Sequence, residues 1–168
     1  MRHLRILETR SLQWPDEAAT QAFCAALARG LQAHPHLMNA SIELHGSLGA
    51  GKTSWVRHLL RALGVEGRIK SPSYAVMESY ELPLGVVSHF DFYRFDDPRE
   101  WEDAGFRDIF AAPGLKLSEW PEKAEGMLPA PDLQIWIETQ ADESRSVKLV
   151  AGTALGQALI QTLEGVRS

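Results

Sequence analysis

A glycine-rich stretch, Gly46–Thr53, carries the clearest chemistry in the sequence. It reads Gly-Ser-Leu-Gly-Ala-Gly-Lys-Thr and matches the pattern G-x-x-x-x-G-K-[ST] at every position. Glycines at 46, 49 and 51 would let the backbone adopt positive φ and approach a phosphate, on which the loop N–H groups converge. Lys52 would then bridge the β- and γ-phosphates, and the Thr53 hydroxyl would hold Mg²⁺. The pattern predicts a nucleotide phosphate site.

Two acidic residues are candidates to organise that Mg²⁺. Asp91 and Glu119 each end a strand-like run, and ligands of α/β sheets bind beyond the carboxyl ends of the strands. In the first run, alternation places Phe90 and Phe92 on one side of the strand and His89 and Asp91 on the other. The alternative for each acid is a surface carboxylate at a strand end.

A polar segment, Lys70–Tyr74, follows the helix predicted after the glycine-rich loop. Its hydroxyl groups, on Ser71, Ser73 and Tyr74, could sense a γ-phosphate as a switch loop does. The alternative is a polar turn that leads into the next strand.

Strands and helices must position these groups. Apolar spacing predicts a helix over about residues 16–33, a strand at 41–45 before the glycine-rich loop, and a helix after it that ends near Gly64. Residues 74–82 and 86–93 read as a hairpin of two strands. Further strands are predicted at residues 4–12 (an edge strand), 115–120, 133–138 and 147–150, and further helices from Asp97 and over 154–163. We therefore predict an α/β fold of the P-loop NTPase type, a single mixed β-sheet flanked by helices, in one domain over residues 1–168.

Composition narrows the class of protein. The 168 residues are 45% hydrophobic and 23% charged, which are globular values. The net charge of −5 argues against a surface that grips nucleic acid directly. The single cysteine, Cys24, allows no internal disulfide, and the sequence shows neither a signal peptide nor a run long enough to span a membrane. We expect a cytoplasmic protein without a membrane partner.

The ordered set of motifs resembles the TsaE (YjeE) family, the bacterial ATPases of tRNA threonylcarbamoyladenosine biosynthesis. The resemblance covers roughly residues 15–129, and the rest of the chain matches only in general pattern. The matching segments are Leu48–Thr53, Lys70–Tyr74 with Ser73 in place of the usual threonine, His89–Arg94, Asp97–Glu100 followed by Gly105, Glu119–Pro121 and Leu128–Pro129.

The resemblance implies roles for individual residues. Thr53 and Glu119 would be the Mg²⁺ ligands, and Lys52 would be catalytic. Asp91 would act near the γ-phosphate, either by ordering water or through contact with the groups that surround the metal. Glu17 would lie near the nucleoside. The full set implied to bind ATP is Glu17, Gly49, Ala50, Gly51, Lys52, Thr53 and Ser54. The chain departs from the family at Ala75, which often is a hydroxyl residue, and at Ser118, which often is aliphatic.

The resemblance also implies a function. The chain would hydrolyse ATP to ADP and phosphate and would dock on the TsaB–TsaD complex, which transfers the carbamoyl group to a tRNA adenosine next to the anticodon. It would meet tRNA only through these partners. Trp101, Phe106 and Trp120 are candidate docking anchors, because tryptophan is enriched in interface hot spots; the alternative is that they belong to the core.

Two other functions fit a P-loop in a chain of this size. The first is a small-molecule kinase, although residues between Asp91 and Trp120 offer only Arg94, Arg99 and Arg107 and no paired-arginine lid. The second is a nucleotide-gated binding module with negligible hydrolysis.

Overall fold

The computed structural model describes residues 5–72, 76–103 and 105–163, and in these ranges strands and helices alternate as the sequence predicts. The strands are β1 (Glu8–Trp14), β2 (Ser41–His45), β3 (Met77–Leu82), β4 (Gly85–Asp91), β5 (Leu115–Glu119), β6 (Leu133–Thr139) and β7 (Arg145–Ala151). The α-helices are α1 (Glu17–Ala33), α2 (Lys52–Ala62), α3 (Pro98–Asp103), α4 (Phe106–Ala111) and α5 (Ala154–Gln161). Short 3₁₀ helices cover Pro35–Asn39 and Pro121–Ala124.

The strands form one seven-stranded sheet in the order β1-β7-β6-β2-β5-β4-β3. Its centre, β6, β2, β5 and β4, is parallel, whereas β7 and β1 at one side and β3 at the other are antiparallel to their neighbours. The predictions of a single mixed sheet, of a first strand at the edge and of a β3–β4 hairpin are confirmed. The parallel centre brings the carboxyl ends of β2, β4 and β5 to one edge, which is where an α/β sheet binds ligands.

One face of the sheet, called here the helix face, is covered by α1, α2 and α5. Asp16 caps α1, because its carboxylate accepts a hydrogen bond from the Ala19 N–H at 2.9 Å. The apolar stripe of α1 then buries Phe23 and Leu27 against Trp55 and Leu59 of α2. This packing fixes α2, and with it the glycine-rich loop at its start.

The opposite face carries an aromatic cluster under α3 and α4, and this cluster contains two of the three candidate docking residues. Trp101 and Phe106 are each only 3% exposed. The Phe106 ring lies 5.3 Å from that of Phe90, and the Trp101 ring lies 6.5 Å from that of Phe92. Their burial agrees with the alternative that both residues belong to the core, since α3 and α4 cover the two side chains on the sheet.

None of the helices in the described ranges combines the length and the apolarity that crossing a bilayer demands.

Candidate functional site

The glycine-rich loop joins the end of β2 to the start of α2. Gly46, Gly49 and Gly51 have φ values of 155°, 81° and 103°, as the sequence predicts. At Gly46 a side chain is also excluded by space, since a Cβ would lie 2.6 Å from the carbonyl oxygen of Ile137. Gly51 is the N-cap of α2, so the loop ends at the positive end of the helix dipole, which favours a phosphate group.

Lys52 is folded back into the site. Its Nζ donates a hydrogen bond to the Gly46 carbonyl at 2.6 Å and lies 3.4 Å from the ring centroid of Trp120. Burial lowers the pKa of the Lys52 ammonium group, while nearby carboxylates, of which Glu119 is the strongest, oppose that shift. To reach the β- and γ-phosphates of a nucleotide, the ammonium group would have to exchange these two contacts for phosphate oxygens.

Thr53 and Glu119 meet at the start of α2 and the end of β5. The Thr53 hydroxyl donates to Glu119 Oε1 at 2.8 Å, and His89 Nε2 lies 2.6 Å from Glu119 Oε2. A hydroxyl and a carboxylate are the hard oxygen ligands that Mg²⁺ takes. Within the described residues no cluster of three or more His, Cys, Asp or Glu side chains could hold a metal alone. The pair therefore fits Mg²⁺ completed by phosphate oxygens and water.

Asp91 lies beside this pair. It stands opposite Glu119 in the parallel pairing of β4 with β5, and its Oδ1 accepts a hydrogen bond from the Tyr93 N–H at 3.0 Å. Burial raises the pKa of the Asp91 carboxyl group, and the nearby Glu119 raises it further, although the hydrogen bond from Tyr93 opposes both. A carboxylate with a raised pKa is a stronger base toward water than an ordinary aspartate.

These groups surround a cavity of about 290 Å³. Most of the residues that sequence reasoning singled out line it: Gly49, Gly51, Lys52, Thr53, Ser54, Asp91, Glu119 and Trp120. Leu48, Tyr93 and Arg145 complete the wall.

Three of the expected residues do not line the cavity. Ala50, a residue of the loop itself, is buried. The Glu17 side chain is 64% exposed and lies 2.5 Å from His58 Nε2. Ser71 is exposed, whereas Ser73 and Tyr74 lie outside the described residues. Of the three proposed docking aromatics, only the half-buried Trp120 is at the cavity.

Arg145, the first residue of β7, is a site residue that sequence reasoning missed. Its Nε donates to the Ala50 carbonyl at 2.6 Å, and its Nη1 donates to the Glu143 carbonyl at 2.7 Å. Because a trans peptide points its C=O and the next N–H in opposite directions, this grip on Ala50 also orients the N–H of Gly51. No motif surrounds Arg145 in the sequence, and the contact spans 95 positions, so only the fold reveals it.

A larger cavity, of about 530 Å³, lies elsewhere, on strands β1, β6 and β7. It contains the 45% exposed Trp136, whose ring stacks on that of His45 at 4.0 Å. No residue of the glycine-rich loop and neither of the two acids lines it, so size alone does not identify the site.

Comparisons with known proteins show which family the chain is similar to. The sequence matches the family model described as TsaE, threonylcarbamoyl adenosine biosynthesis protein, over residues 14–147. It is 41% identical to the tRNA threonylcarbamoyladenosine biosynthesis protein TsaE of Haemophilus influenzae over 119 residues, which are 71% of this chain and 75% of that relative. The identity to the Bacillus subtilis protein of the same name is 34% over 110 residues, which are 66% and 68% of the two chains. The crystal structure of Bacillus subtilis YdiB, at 23% identity, has the same fold, with a TM-score of 0.73 over 97% of both chains.

Proposed function

Since the chain belongs to the TsaE family and has its role in tRNA threonylcarbamoyladenosine biosynthesis, we propose that it binds Mg²⁺ and ATP in the 290 Å³ cavity and hydrolyses ATP to ADP and phosphate. The hydrolysis would support turnover of the TsaB–TsaD complex, on which the chain would dock. A cytoplasmic location remains a prediction of the sequence.

One observation carries the proposal of hydrolysis: a single cavity unites a phosphate-type loop, a lysine and two acids from different strands. Phosphoryl transfer needs little covalent chemistry from the protein and depends on positioning and charge stabilisation. Lys52 and the loop N–H groups would hold the phosphates. Thr53 and Glu119 would hold Mg²⁺, which when bound supplies positive charge to the β- and γ-phosphate oxygens.

Asp91 is the residue we assign to the attacking water. It lies at the end of β4 beside Glu119 and lines the same cavity as Lys52 and Thr53. Burial raises the pKa of Asp91, which suits a group that orients a water molecule and accepts its proton. Tyr93 holds Oδ1 through its N–H, so Oδ2 is the oxygen we assign to that role.

The partner assignment rests on the family and on charge. The net charge of −5 supports a division of labour in which TsaB and TsaD, and not this chain, grip the tRNA. Trp120 is the docking candidate that is still available, because it is half-buried at the rim of the cavity whereas Trp101 and Phe106 are core residues.

The test is steady-state ATP hydrolysis with and without Mg²⁺, by the chain alone and with purified TsaB–TsaD. We expect a low rate alone and a large rise with partners that Lys52→Ala abolishes. Lys148→Ala is the matched control, since Lys148 is an exposed lysine outside the cavity. Bound nucleotide without any rise in hydrolysis would favour the gated binding module, and ATP-dependent phosphorylation in a screen of nucleosides and sugar acids would favour the kinase.

A further inference from the structure

His89 is a buried histidine that uses one of its two ring nitrogens for a contact with Glu119. Its side chain is 1% exposed, and its Nε2 lies 2.6 Å from Glu119 Oε2. Within the described part of the chain its other nitrogen, Nδ1, has no hydrogen-bond partner. An unpaired buried polar atom costs stability, and an apolar side chain of similar shape would avoid that cost. Packing alone therefore does not account for a histidine at this position.

We propose that His89 is a positioning residue that holds Oε2 of Glu119 so that Oε1 faces Thr53 and the Mg²⁺ site. The inference rests on the proposed function, because it assigns a role in Mg²⁺-dependent nucleotide binding. An ionised carboxylate only accepts hydrogen bonds, so Nε2 carries the hydrogen and donates it to Oε2. Replacing a residue that supports a ligating carboxylate in this way typically lowers metal affinity 10- to 100-fold.

The register of the strands explains why position 89 can do this. His89 stands opposite Leu117 in the parallel pairing of β4 with β5, and Asp91 stands opposite Glu119. His89 therefore lies one step deeper in the sheet than the two acids and on the same face. From this position His89 contacts the Glu119 carboxylate from the strand side, whereas Thr53 contacts the same carboxylate from α2.

The two hydrogen bonds on Glu119 differ in what Mg²⁺ would do to them. If Thr53 Oγ1 and Glu119 Oε1 both turn toward a cation, the hydrogen between them must point elsewhere, so this bond would be given up. The bond from His89 uses the other oxygen, Oε2, and can persist when the cation is bound. His89 is thus the fixed support of the carboxylate, and Thr53 is its exchangeable partner.

The test compares His89→Leu, which removes the donor, with His89→Gln, whose amide nitrogen can take the place of Nε2. Binding of a fluorescent, non-hydrolysable ATP analogue is titrated with Mg²⁺ and is also measured in EDTA. His45→Leu is the matched control. His45 is likewise buried with a carboxylate contact, 3.0 Å from Glu43, but it points to the opposite face of the sheet, because Leu44 shares the face of Glu119.

We expect His89→Leu to raise the Mg²⁺ concentration for half-maximal binding about 10- to 100-fold, to leave the affinity in EDTA unchanged, and to be rescued largely by His89→Gln. An unchanged Mg²⁺ requirement in a folded His89→Leu protein would overturn the proposal. So would an equal loss in EDTA, an equal loss in His45→Leu, or a glutamine variant as weak as the leucine variant. Should His89→Leu not fold, His89→Asn, whose amide is too short to reach Oε2, takes its place. Absence of any Mg²⁺-dependent binding in the unchanged protein would overturn the proposed function itself, and this inference with it.

Discussion

Replacing Lys52 with methionine removes the ammonium group but keeps the aliphatic stem that packs in the site. This group donates to the Gly46 carbonyl and lies against Trp120. Burial nevertheless lowers the pKa of Lys52, which means that folding disfavours its charged form. The unfolded chain then binds more protons than the folded one just below the ordinary lysine pKa, so stability rises with pH there. The stability of Lys52→Met should not show this rise with pH. At neutral pH the variant should be at least as stable as the unchanged protein, because it buries no charged group at this position.

The effect on ATP binding is the difference between two sets of contacts. Two charge-assisted bonds to phosphates contribute about 3–6 kcal/mol, counting each at about 1.5–3 kcal/mol. The contacts given up on binding, one charged hydrogen bond to Gly46 and one cation–π contact with Trp120, amount to about 2–4 kcal/mol. The net is roughly 1–2 kcal/mol, so Lys52→Met should weaken ATP binding only about 5- to 30-fold. The loss in turnover should be larger, because the transition state carries more charge at the phosphate oxygens.

The assay is isothermal calorimetry with ATP and Mg²⁺, combined with urea unfolding of both proteins. The control is Trp120→Leu, alone and together with Lys52→Met. If the contact with Trp120 competes with phosphate binding by Lys52, then Trp120→Leu should tighten ATP binding when Lys52 is present but not in the Lys52→Met protein. The coupling free energy between the two substitutions should be about 0.5–1 kcal/mol. An affinity loss beyond about 1000-fold would show that the contacts of Lys52 with Gly46 and Trp120 are weak, and no loss would show that Lys52 does not reach the phosphates. Either result refutes the reasoning.

Three further predictions follow from the site and the core. Asp91→Asn should abolish partner-stimulated hydrolysis yet raise the melting temperature at neutral pH. Because the pKa of Asp91 is raised in the folded protein, the folded state binds more protons than the unfolded state just above the ordinary aspartate pKa. The stability of the unchanged protein therefore falls with rising pH in that range. Calorimetric scans across pH should show that this fall is missing in the variant. Arg145→Ala should weaken ATP binding in EDTA by about 1.5–3 kcal/mol, through loss of the contact that orients the glycine-rich loop. Trp101→Ala should lower the free energy of unfolding by about 3–5 kcal/mol, because the ring is buried in the aromatic cluster.

Each of these predictions has a result that contradicts it. Unchanged hydrolysis in Asp91→Asn would remove this residue from the chemistry. For Arg145, the variant Arg145→Lys separates charge from geometry, since lysine keeps the charge but not the forked donors; full ATP affinity in the alanine variant would mean that the loop holds its shape unaided. For Trp101, the exposed Trp136 is the matched tryptophan, and an equal destabilisation by Trp136→Ala would argue against a special role of the cluster.

The elements whose signals are local could be predicted from the sequence. The glycine-rich loop, its flanking strand and helix, and the three positive φ values all follow from adjacent residues. Alternation along β4 also predicted correctly that His89 and Asp91 share a face that Phe90 does not. The sequence left open whether Trp101 and Phe106 are docking anchors or core residues, because the burial of an aromatic residue depends on where two short helices pack, which no local pattern determines.

The contacts that the site residues make with one another are the part that residue types could not show. Motifs indicate groups that would hold a nucleotide, but they do not show how those groups contact one another. Lys52 takes the Gly46 carbonyl and the Trp120 ring, and Thr53 takes Glu119. Trp120 can cover Lys52 because the chain turns sharply after Glu119, with Trp120 at φ 54° and ψ 47°, a conformation that costs a non-glycine residue about 1–3 kcal/mol. Binding of ATP would have to exchange these contacts for contacts with the phosphates. The affinity for ATP should therefore depend on Trp120 as well as on the residues that would touch phosphate.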